Sequence, residues 1–555
     1  MIRHSFTSLF IASIIAGCSE AEAPRTTGFG VTPPGDPAVG VLLDQGLTPG
    51  LRQSWYRLSQ GSRLIPYSWF LALEQPGNDR PFRADEVIER FGYIPQEYAT
   101  ANPDGLPVGF TKGEDERKVA WLGFTCAACH TSEIRHQGTR FRVDGAPGMA
   151  DLVPFRDELI AAVRATLADP AKFDRFAAKA LGAGSGQAFR KDAFKKDVQS
   201  YLDETVVLAD RSRPEHPAGP SRVDAFSILI NEMIGTVPGL PENYRKPAAP
   251  VSYPFLWGAA DLEWVQWNGA VQDAIARNVG EVLIVFGHAE ATAQGDKVAI
   301  RSTAQVKNLH DLEDWTKAIT PPRWPEAILG AIDRPLAARG EAVYLREGCA
   351  TCHANKPPYP RSEPNQHGRT FVKVAKTPIA ELGTDPLAAA NFADRTAKTG
   401  KFAPMFGGQA EVPAFAMFFA NLLTMTESDL DAAGLTPAQK LEYSGFRVDV
   451  LPRREDLLVY KSGPLAGIWA TAPFLHNGSV PNLDQLFRPA RDRAKTFHVG
   501  SREFDPVTVG YRSTPSPATF EFRTEVPGNS NAGHEYGTRI GDDDRHALVE
   551  YLKTL

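Results

Sequence analysis

The sequence is poor in cysteine, in excess positive charge and in long apolar runs. Five cysteines in 555 residues are too few for a dense disulfide framework. Acidic residues outnumber basic ones by 66 to 60, for a formal net charge of −6, so there is no basic field to bind nucleic acid. Beyond the N-terminal stretch, no apolar run reaches the roughly 18 residues of a transmembrane helix.

The length and loop content indicate more than one domain. A chain of 555 residues is too long for one ordinary hydrophobic core, so two or more are expected. The 44 prolines and 47 glycines favour long loops over a simple helical bundle.

The N-terminus has the pattern of a processing signal. Arg3 precedes a mostly apolar stretch at residues 9–16, which is too short to span a bilayer as a helix. The stretch ends at Cys18 in a sequence that resembles a bacterial lipobox, so residues 1–18 are predicted to be a lipoprotein signal peptide with lipidation at Cys18. The alternative is an ordinary signal peptide with a chance cysteine.

Lipidation would tether the mature chain to a membrane surface without a spanning helix. Residues 19–37, with many Pro, Gly and Thr, are predicted to form a flexible tether. The expected location is the bacterial cell envelope, with the chain lipid-anchored in the periplasm or at the outer membrane. The residue after Cys18 is Ser19 rather than the Asp of the usual inner-membrane retention signal, so the outer membrane is a plausible destination.

The other four cysteines form two CxxCH motifs, made by Cys126, Cys129 and His130 and by Cys349, Cys352 and His353. In c-type attachment, the two thiols bind the vinyl groups of one porphyrin, and the following His is the proximal iron ligand. The sequence therefore predicts two covalently bound haems c. The alternatives are a four-cysteine zinc site shared by the motifs, or disulfides.

Helical patterns flank the second motif. Residues 336–347 are predicted to form a helix that contains Gly340, and residues 542–555 form the closing helix, with Asp542 or Asp543 as N-cap. In cytochrome c folds the first and last helices cross closely, and a Gly against an aromatic permits the approach, here Gly340 against Tyr551. The alternative is two unrelated amphipathic helices.

The predicted fold class is mainly α, with two cytochrome c-like haem domains and long loop-rich insertions. The N-terminal haem domain spans residues 38–330 and includes helical stretches at 154–181 and 189–208. Prolines near residue 322 mark the boundary, and the C-terminal cytochrome c-like domain spans residues 331–555.

Three stretches carry a family resemblance. They are Trp-Asn-Gly at 267–269, Thr-Ala-Pro-Phe-Leu-His-Asn-Gly at 471–478, and the closing segment 550–555. Together they resemble the bacterial di-haem cytochrome c peroxidase superfamily, and the chain looks most like its larger rubber-oxygenase branch. The motifs do not specify a substrate.

The resemblance implies different roles for the two haems. The N-terminal haem, on His130, would carry out the chemistry, and the C-terminal haem, on His353, would be a six-coordinate electron relay. Trp267 matches the tryptophan that passes electrons between them. Trp264 is the rival bridge, and Trp267 could also be a core aromatic.

Thr471 and Pro473 match positions whose carbonyls bind a structural calcium ion in this superfamily, and carbonyl oxygens suit that cation. The sequence does not identify the calcium ligand that the first domain would supply, so the presence of a calcium ion is left as an open alternative.

The distal ligand of the relay haem differs from the peroxidase pattern, because no Met stands where that branch has one. His534, flanked by glycines that allow backbone to approach a porphyrin, is predicted instead, with His498 and Met405 as alternatives. Bis-His ligation would lower the haem potential relative to His/Met. His476 matches a structural, non-ligating position.

For the first haem, by contrast, the sequence offers no distal histidine ligand. Position 146, where the peroxidase branch often has a removable distal His, is Ala, and no His occurs between His136 and His216. We therefore expect a vacant or water-bound face above the His130 iron.

The acid–base group is displaced from the family pattern. Peroxide cleavage needs a group that accepts and returns a proton, but the family position for a Glu is Gly287 here, and Glu281 is the nearby candidate. Phe286 and the apolar residues before it would suit dioxygen and an apolar substrate. On pattern alone they could also be a buried segment.

These features predict a haem-dependent oxidoreductase that uses hydrogen peroxide or dioxygen, with a slight preference for a peroxidase fed by a periplasmic electron donor. One alternative is an O2-dependent dioxygenase that cleaves a hydrophobic alkene. The other is a non-enzymatic periplasmic electron carrier with two six-coordinate irons.

Overall fold

The computed structural model describes residues 40–182, 188–294, 297–447 and 451–555. The predicted signal peptide, Cys18 and the whole of the predicted tether lie outside these residues. Within them, no helix combines the length and the apolar character needed to cross a membrane.

In the part of the chain that the structure describes, ten α-helices precede residue 331: α1 Pro49–Arg57, α2 Tyr67–Ala72, α3 Asp85–Arg90, α4 Leu152–Ala168, α5 Pro170–Leu181, α6 Ala188–Arg211, α7 Ala225–Asn231, α8 Ala274–Ile284, α9 Val306–Lys317 and α10 Glu326–Leu329. Eight follow it: α11 Arg334–Arg346, α12 Ile379–Leu382, α13 Leu387–Ala393, α14 Ala414–Ala432, α15 Pro437–Tyr443, α16 Arg454–Leu457, α17 Leu483–Leu486 and α18 Asp542–Leu552.

The strands before residue 331 are β1 Val41–Leu42, β2 Ile65–Pro66, β3 Phe110–Glu114, β4 Ala120–Phe124, β5 Thr131–His136, β6 Thr139–Asp144, β7 Arg222–Val223, β8 Val251–Ser252, β9 Ala289–Gln294 and β10 Lys297–Ser302. Those after it are β11 Ala375–Pro378, β12 Thr396–Lys398, β13 Glu411–Pro413, β14 Val459–Ser462, β15 Thr496–Val499, β16 Phe504–Asp505, β17 Gly510–Tyr511 and β18 Phe520–Arg523. They form small sheets of two or three strands, among them β1-β6-β5 and β2-β4-β3.

The expectation of a mainly helical fold holds only in part, since the structure is 41% helix and 16% strand. The strands that the sequence pattern missed are mostly short hairpins within the long insertions, such as β9–β10 and β15–β18. Two- to six-residue strands are too short to leave a clear alternation of apolar and polar residues.

The helix boundaries differ from prediction at identifiable residues. The stretch 154–181 is two helices, because Asp169 caps α5 with its side chain and Pro170 begins it. The prediction that Asp542 or Asp543 caps the last helix is wrong: Gly541 is the N-cap, and Asp542 and Asp543 lie in the first turn, where carboxylates favour the helix dipole.

Helices α11 and α18 cross closely, as predicted. A Cβ atom on Gly340 would lie 1.9 Å from the carbonyl oxygen of Ala547 and 2.7 Å from Cβ of Tyr551. The ring of Tyr551 also packs edge-on against Tyr344, with centroids 5.4 Å apart. Because no larger side chain fits at position 340, the glycine sets the distance between the two helices.

Segments from either side of residue 330 share hydrophobic cores. One buried cluster combines Trp55, Phe141 and Trp257 with Trp469 and Leu548. A second joins α8 to α13 and α14. The boundary near residue 330 stays a prediction, but the two halves pack as parts of one structure.

Strand β5 joins the halves directly. The backbone N–H of Arg135 donates to the carbonyl of Arg502 at 2.8 Å, and the Oγ of Ser132 lies 2.8 Å from the hydroxyl of Tyr511. Arg502 also pairs with buried Glu133 at 3.1 Å. The segment after the first CxxCH motif is therefore held by the C-terminal part of the chain.

Candidate haem sites

The two CxxCH motifs have the same local backbone conformation. Each begins as a 3₁₀ turn, Cys126–Ala128 in one and Cys349–Thr351 in the other. In both, the amide of the histidine donates to the carbonyl of the first cysteine at 2.9 Å. This turn presents two thiols and an imidazole on a short piece of chain, which is the arrangement that c-type attachment requires.

The four motif cysteines are free thiols in the structure. Within the described ranges, no group of three or more His, Cys, Asp or Glu side chains is placed to hold a metal ion, so the motifs do not meet as a zinc site. The donor sets therefore suit porphyrin attachment rather than either alternative.

Each motif histidine is oriented by a backbone carbonyl. The Nδ1 atom of His130 lies 2.7 Å from the carbonyl of Pro254, and that of His353 lies 2.9 Å from the carbonyl of Gly463. A carbonyl can only accept, so Nδ1 carries the proton in both rings and Nε2 is the lone-pair atom left for a metal.

The surroundings of the first motif are tightly packed. A Cβ atom on Gly109 would lie 2.0 Å from the amide nitrogen of Ala128, so this loop fits the turn only as glycine. On the far side, the amides of Gly145 and Gly148 donate to the carbonyls of His130 and Cys129 at 2.8 and 2.7 Å. Both contacts fix the motif between strand β4 and the loop that follows β6.

His353 faces His534 across a large cavity. The two ring centroids are 6.4 Å apart. A metal–imidazole bond is about 2.0–2.1 Å long, and the nitrogen lies about 1.1 Å from the ring centre, so two imidazoles on one iron have centroids roughly 6.3 Å apart. The observed spacing therefore fits an iron between the rings.

The cavity itself has a volume of about 640 Å³, within the range of cofactor sites. Cys349, Cys352 and His353 lie on its wall with His534, whereas His498 and Met405 do not line it. His498 instead has its Nδ1 3.1 Å from the hydroxyl oxygen of Thr519. Of the three candidates for the second ligand, His534 is the one that the fold brings to this site.

Glycine allows His534 to reach this position. His534 has φ +50° and follows Gly533, where an added Cβ would lie 2.3 Å from the backbone of Gly383 and Thr384. Burial lowers the pKa of His534 to about 3, with a smaller contribution from His353. The ring is therefore neutral near pH 7, which is the ligating form.

His130 has no such partner among the described residues. Its ring contact is with Tyr253, at 6.0 Å between centroids. Burial lowers the pKa of His130 to about 4, so this ring is also neutral. His136, the next histidine along the chain, lies elsewhere, with Nδ1 3.2 Å from the carbonyl of Phe504.

Glu281 lies close to the first motif. Its charge acts on the thiol of Cys126, and its carboxylate accepts a hydrogen bond from Gln266 at 2.7 Å. Burial raises the pKa of Glu281, against the opposing effect of Arg277. Arg277 in turn pairs with Glu313. A small cavity of about 30 Å³ adjoins Glu281 and Gln266, enough for one or two water molecules.

Position 287 has no room for a side chain. A Cβ atom on Gly287 would lie 2.6 Å from Cγ1 and 2.7 Å from the carbonyl oxygen of Val282. The neighbouring Phe286 has φ +70°, and its ring packs against Phe124, 5.7 Å away, on the strand that leads into the first motif. An acid at 287 is thus sterically excluded, and Phe286 belongs to the apolar wall near this motif.

Trp267 contacts the surroundings of both motifs. It lines the cavity at His353, and its Nε1–H donates to the carbonyl of Ser252 at 2.9 Å. Ser252 is two residues from Pro254, the acceptor for His130. Trp264 instead packs under the ammonium of Lys376, at 4.2 Å from the ring centroid.

Thr471 and Pro473 line the same cavity, and their suggested calcium remains a prediction. Sequence reasoning missed Pro254, Gly463 and Tyr253. The two acceptors act through backbone carbonyls, which any residue supplies, so no side-chain pattern could have identified them.

Comparison with known proteins identifies the family of the chain. The uncharacterized protein y4iJ of Sinorhizobium fredii is 33% identical over an alignment of 589 positions that covers 95% of each chain. The chain belongs to the y4iJ family. A second relative in that organism, the uncharacterized protein y4iM, is 27% identical over an alignment of 328 positions that covers 54% of this chain and 63% of y4iM.

A profile for RoxA-like, cytochrome c-like proteins matches residues 459–498. This range covers β14, the Thr471–Gly478 segment and part of the wall of the cavity at His353. A cytochrome c-like domain implies covalently bound haem c, and this member of the y4iJ family has cysteine and histidine donors placed to hold it.

Proposed function

We propose that this protein is a di-haem c-type oxidoreductase of the di-haem peroxidase superfamily. It activates hydrogen peroxide or dioxygen at the haem on Cys126, Cys129 and His130. The haem on Cys349, Cys352 and His353 relays electrons. The observation that carries the proposal is the difference between the two histidines: His353 faces His534 at 6.4 Å, and His130 faces no second histidine among the described residues.

Bound haem c supplies an iron that binds and reduces a small oxidant. The protein fixes the His130 ring through Pro254, so that Nε2 points away from this hydrogen bond. His353 and His534 would both hold the second iron, and a haem held by two histidines would serve electron transfer. Trp267, which lines the cavity at His353, is the proposed path.

Glu281 supports the peroxide reaction. Its carboxyl lies near Cys126, and burial favours its protonated form, so it can hold a proton at Oε and exchange it with the oxidant. Gln266 fixes the orientation of the group, and the small cavity beside both residues has room for a proton-carrying water.

Two observations favour dioxygen as the second candidate. The RoxA-like match lies in this chain, and the steric exclusion at Gly287 removes the usual peroxidase acid. In this reaction Phe286 and its apolar neighbours would hold a hydrophobic alkene beside the His130 haem. The third candidate, an electron carrier, requires a distal ligand on the iron held by His130, and no second histidine ring lies beside His130 among the described residues.

Electron paramagnetic resonance of the oxidised protein tests the proposal. We expect one low-spin signal from the His353 haem and one high-spin signal from the His130 haem. Loss of the high-spin signal with peroxide, and turnover with a reduced donor, support the peroxidase. Alkene cleavage under oxygen without reductant supports the dioxygenase. Two low-spin signals that neither peroxide nor dioxygen changes would exclude the peroxidase and the dioxygenase and leave the electron carrier.

Export, lipidation at Cys18 and a calcium ion on the carbonyls of Thr471 and Pro473 are further parts of the proposal. Metabolic labelling with a fatty acid, compared between the wild type and Cys18→Ser, tests the anchor. Metal analysis of the purified holoprotein tests the calcium.

A further inference from the structure

The wall of the large cavity carries one unpaired cation. Lys461 lies on β14 and is the one Lys or Arg among the described residues that line this cavity. Its side chain is partly buried. Within the described ranges, its ammonium makes no hydrogen bond or ion pair with the protein. A desolvated ammonium without a counter-charge is costly, so an anion is expected beside it.

The position of Lys461 in the sheet increases the free-energy cost of its unpaired charge. Lys461 lies directly opposite Lys376 in the antiparallel pair of β14 and β11. Like charges opposite each other in a sheet are destabilising. Lys376 is satisfied by the carbonyl of Gly269, at 3.0 Å, and by the ring of Trp264. Lys461 has no such partner, although its amide donates to the carbonyl of Trp267 at 2.8 Å.

Lys461 also lies near the iron ligand. Its positive charge acts on the imidazole of His353. The three carboxylates on the cavity wall do not neutralise it: Asp261 pairs with Arg361, Glu347 pairs with Arg346, and Glu381 is solvent-exposed. The anion must therefore come from the occupant of the cavity.

We propose that Lys461 is a positioning residue whose ammonium pairs with a propionate carboxylate of the haem on His353. This inference rests on the proposed function, which places a haem there. Porphyrin propionates are carboxylates at one edge of the ring, and here that edge would lie beside the Trp267 segment. The pair neutralises one negative charge near the iron and so raises the potential of the relay haem.

Spectroelectrochemical titration of the holoprotein tests the pair. In Lys461→Met the ferric form should be favoured by at least tenfold at a fixed electrode potential, equal to a fall of about 59 mV for a one-electron couple. Lys461→Arg should keep the wild-type potential. Lys356→Met is the matched control, because Lys356 is close in sequence to His353 but exposed and bonded to Glu341.

A second measurement does not depend on the folding of Lys461→Met. The redox-difference infrared spectrum should contain a propionate carboxylate band that shifts in Lys461→Arg. An unchanged potential in Lys461→Met, or an unshifted band in Lys461→Arg, overturns the inference. So does a wild-type potential that changes on replacing chloride with a bulky buffer anion, because the counter-charge would then come from solution.

The two possible failures are distinguishable. The mass of the wild-type protein shows whether two haems are attached. One haem would defeat the proposed function itself, whereas two haems with a potential insensitive to residue 461 would defeat only the pairing of Lys461.

Discussion

The imidazoles of His353 and His534 lie 6.4 Å apart between centroids, with their planes tilted by 55°, although 181 positions of sequence separate them. The loop that carries His534 reaches this position because Gly533 passes against Gly383, where a Cβ atom would collide with backbone. The ligand pair is thus made by packing between distant segments, and it distinguishes the second motif from the first.

Removing the distal imidazole should change the spin state of one haem. His534→Ala is expected to convert the low-spin signal of the C-terminal haem to high spin, while the His130 haem is unaffected. Electron paramagnetic resonance of the oxidised protein measures this. His498→Ala is the control, since His498 does not line the cavity. A low-spin signal that persists in His534→Ala would contradict the assignment.

Trp267→Phe should slow electron transfer between the haems. The indole lines the cavity and is fixed by its bond to the carbonyl of Ser252, which phenylalanine cannot make. Stopped-flow mixing of the reduced protein with peroxide gives the rate, which we expect to fall by about tenfold or more. Trp264→Phe tests the rival bridge; a larger effect there would reverse the assignment.

Glu281→Gln should impair peroxide turnover. General acid–base groups contribute typically ~10²–10⁴-fold, so kcat is expected to fall by about 10² or more. Both haems should remain attached, as a pyridine haemochrome assay can verify. Glu290→Gln is the control, because Glu290 lies on the β9–β10 hairpin, opposite Arg301. Equal loss in the two variants would mean that Glu281 has no special role.

The buried carboxyl group of Asp151 should make the stability of the fold depend on pH. Burial raises the pKa of its carboxyl from 3.8 to about 7. A raised folded-state pKa contributes stability that is fully present below about pH 4 and is lost as the pH rises through about 7. Asp151→Asn should therefore flatten the fall in unfolding free energy between about pH 4 and 7, measured by denaturant titration. Exposed Asp79→Asn should leave that slope unchanged.

Gly340→Ala should destabilise the fold. The added Cβ would lie 1.9 Å from the carbonyl oxygen of Ala547, and the backbone must shift to relieve this contact. Overpacking of this kind costs typically ~1–3 kcal/mol. Thermal unfolding measures the loss, with Gly77→Ala as a control at a site where nothing lies within 4 Å. An unchanged melting temperature would mean that the helices can move apart freely.

Local patterns in the sequence predicted the parts of the site that local chemistry determines. The CxxCH turns are contiguous, and Gly340 and Tyr551 could be paired because two helical periodicities and one small residue are visible without a structure. His534 could be predicted as a ligand from the sequence because glycines flank it. The N-cap of α18 was predicted wrongly, because an extended Gly541 can precede a helix as well as an Asp can.

The remaining features depend on long-range packing. Pro254 and Gly463 orient the motif histidines through carbonyls that leave no residue-type signal. Lys461 looks like any strand lysine until the pairing with Lys376 is known. The exclusion at Gly287 depends on how α8 ends over Val282, which composition does not reveal.

Pro254 has a further consequence. Its carbonyl holds the ring of His130, and the same residue forms part of the cavity wall at His353. A single residue thus contributes to both sites. A substitution that moves its carbonyl would change both the orientation of the His130 ring and the shape of the cavity at His353.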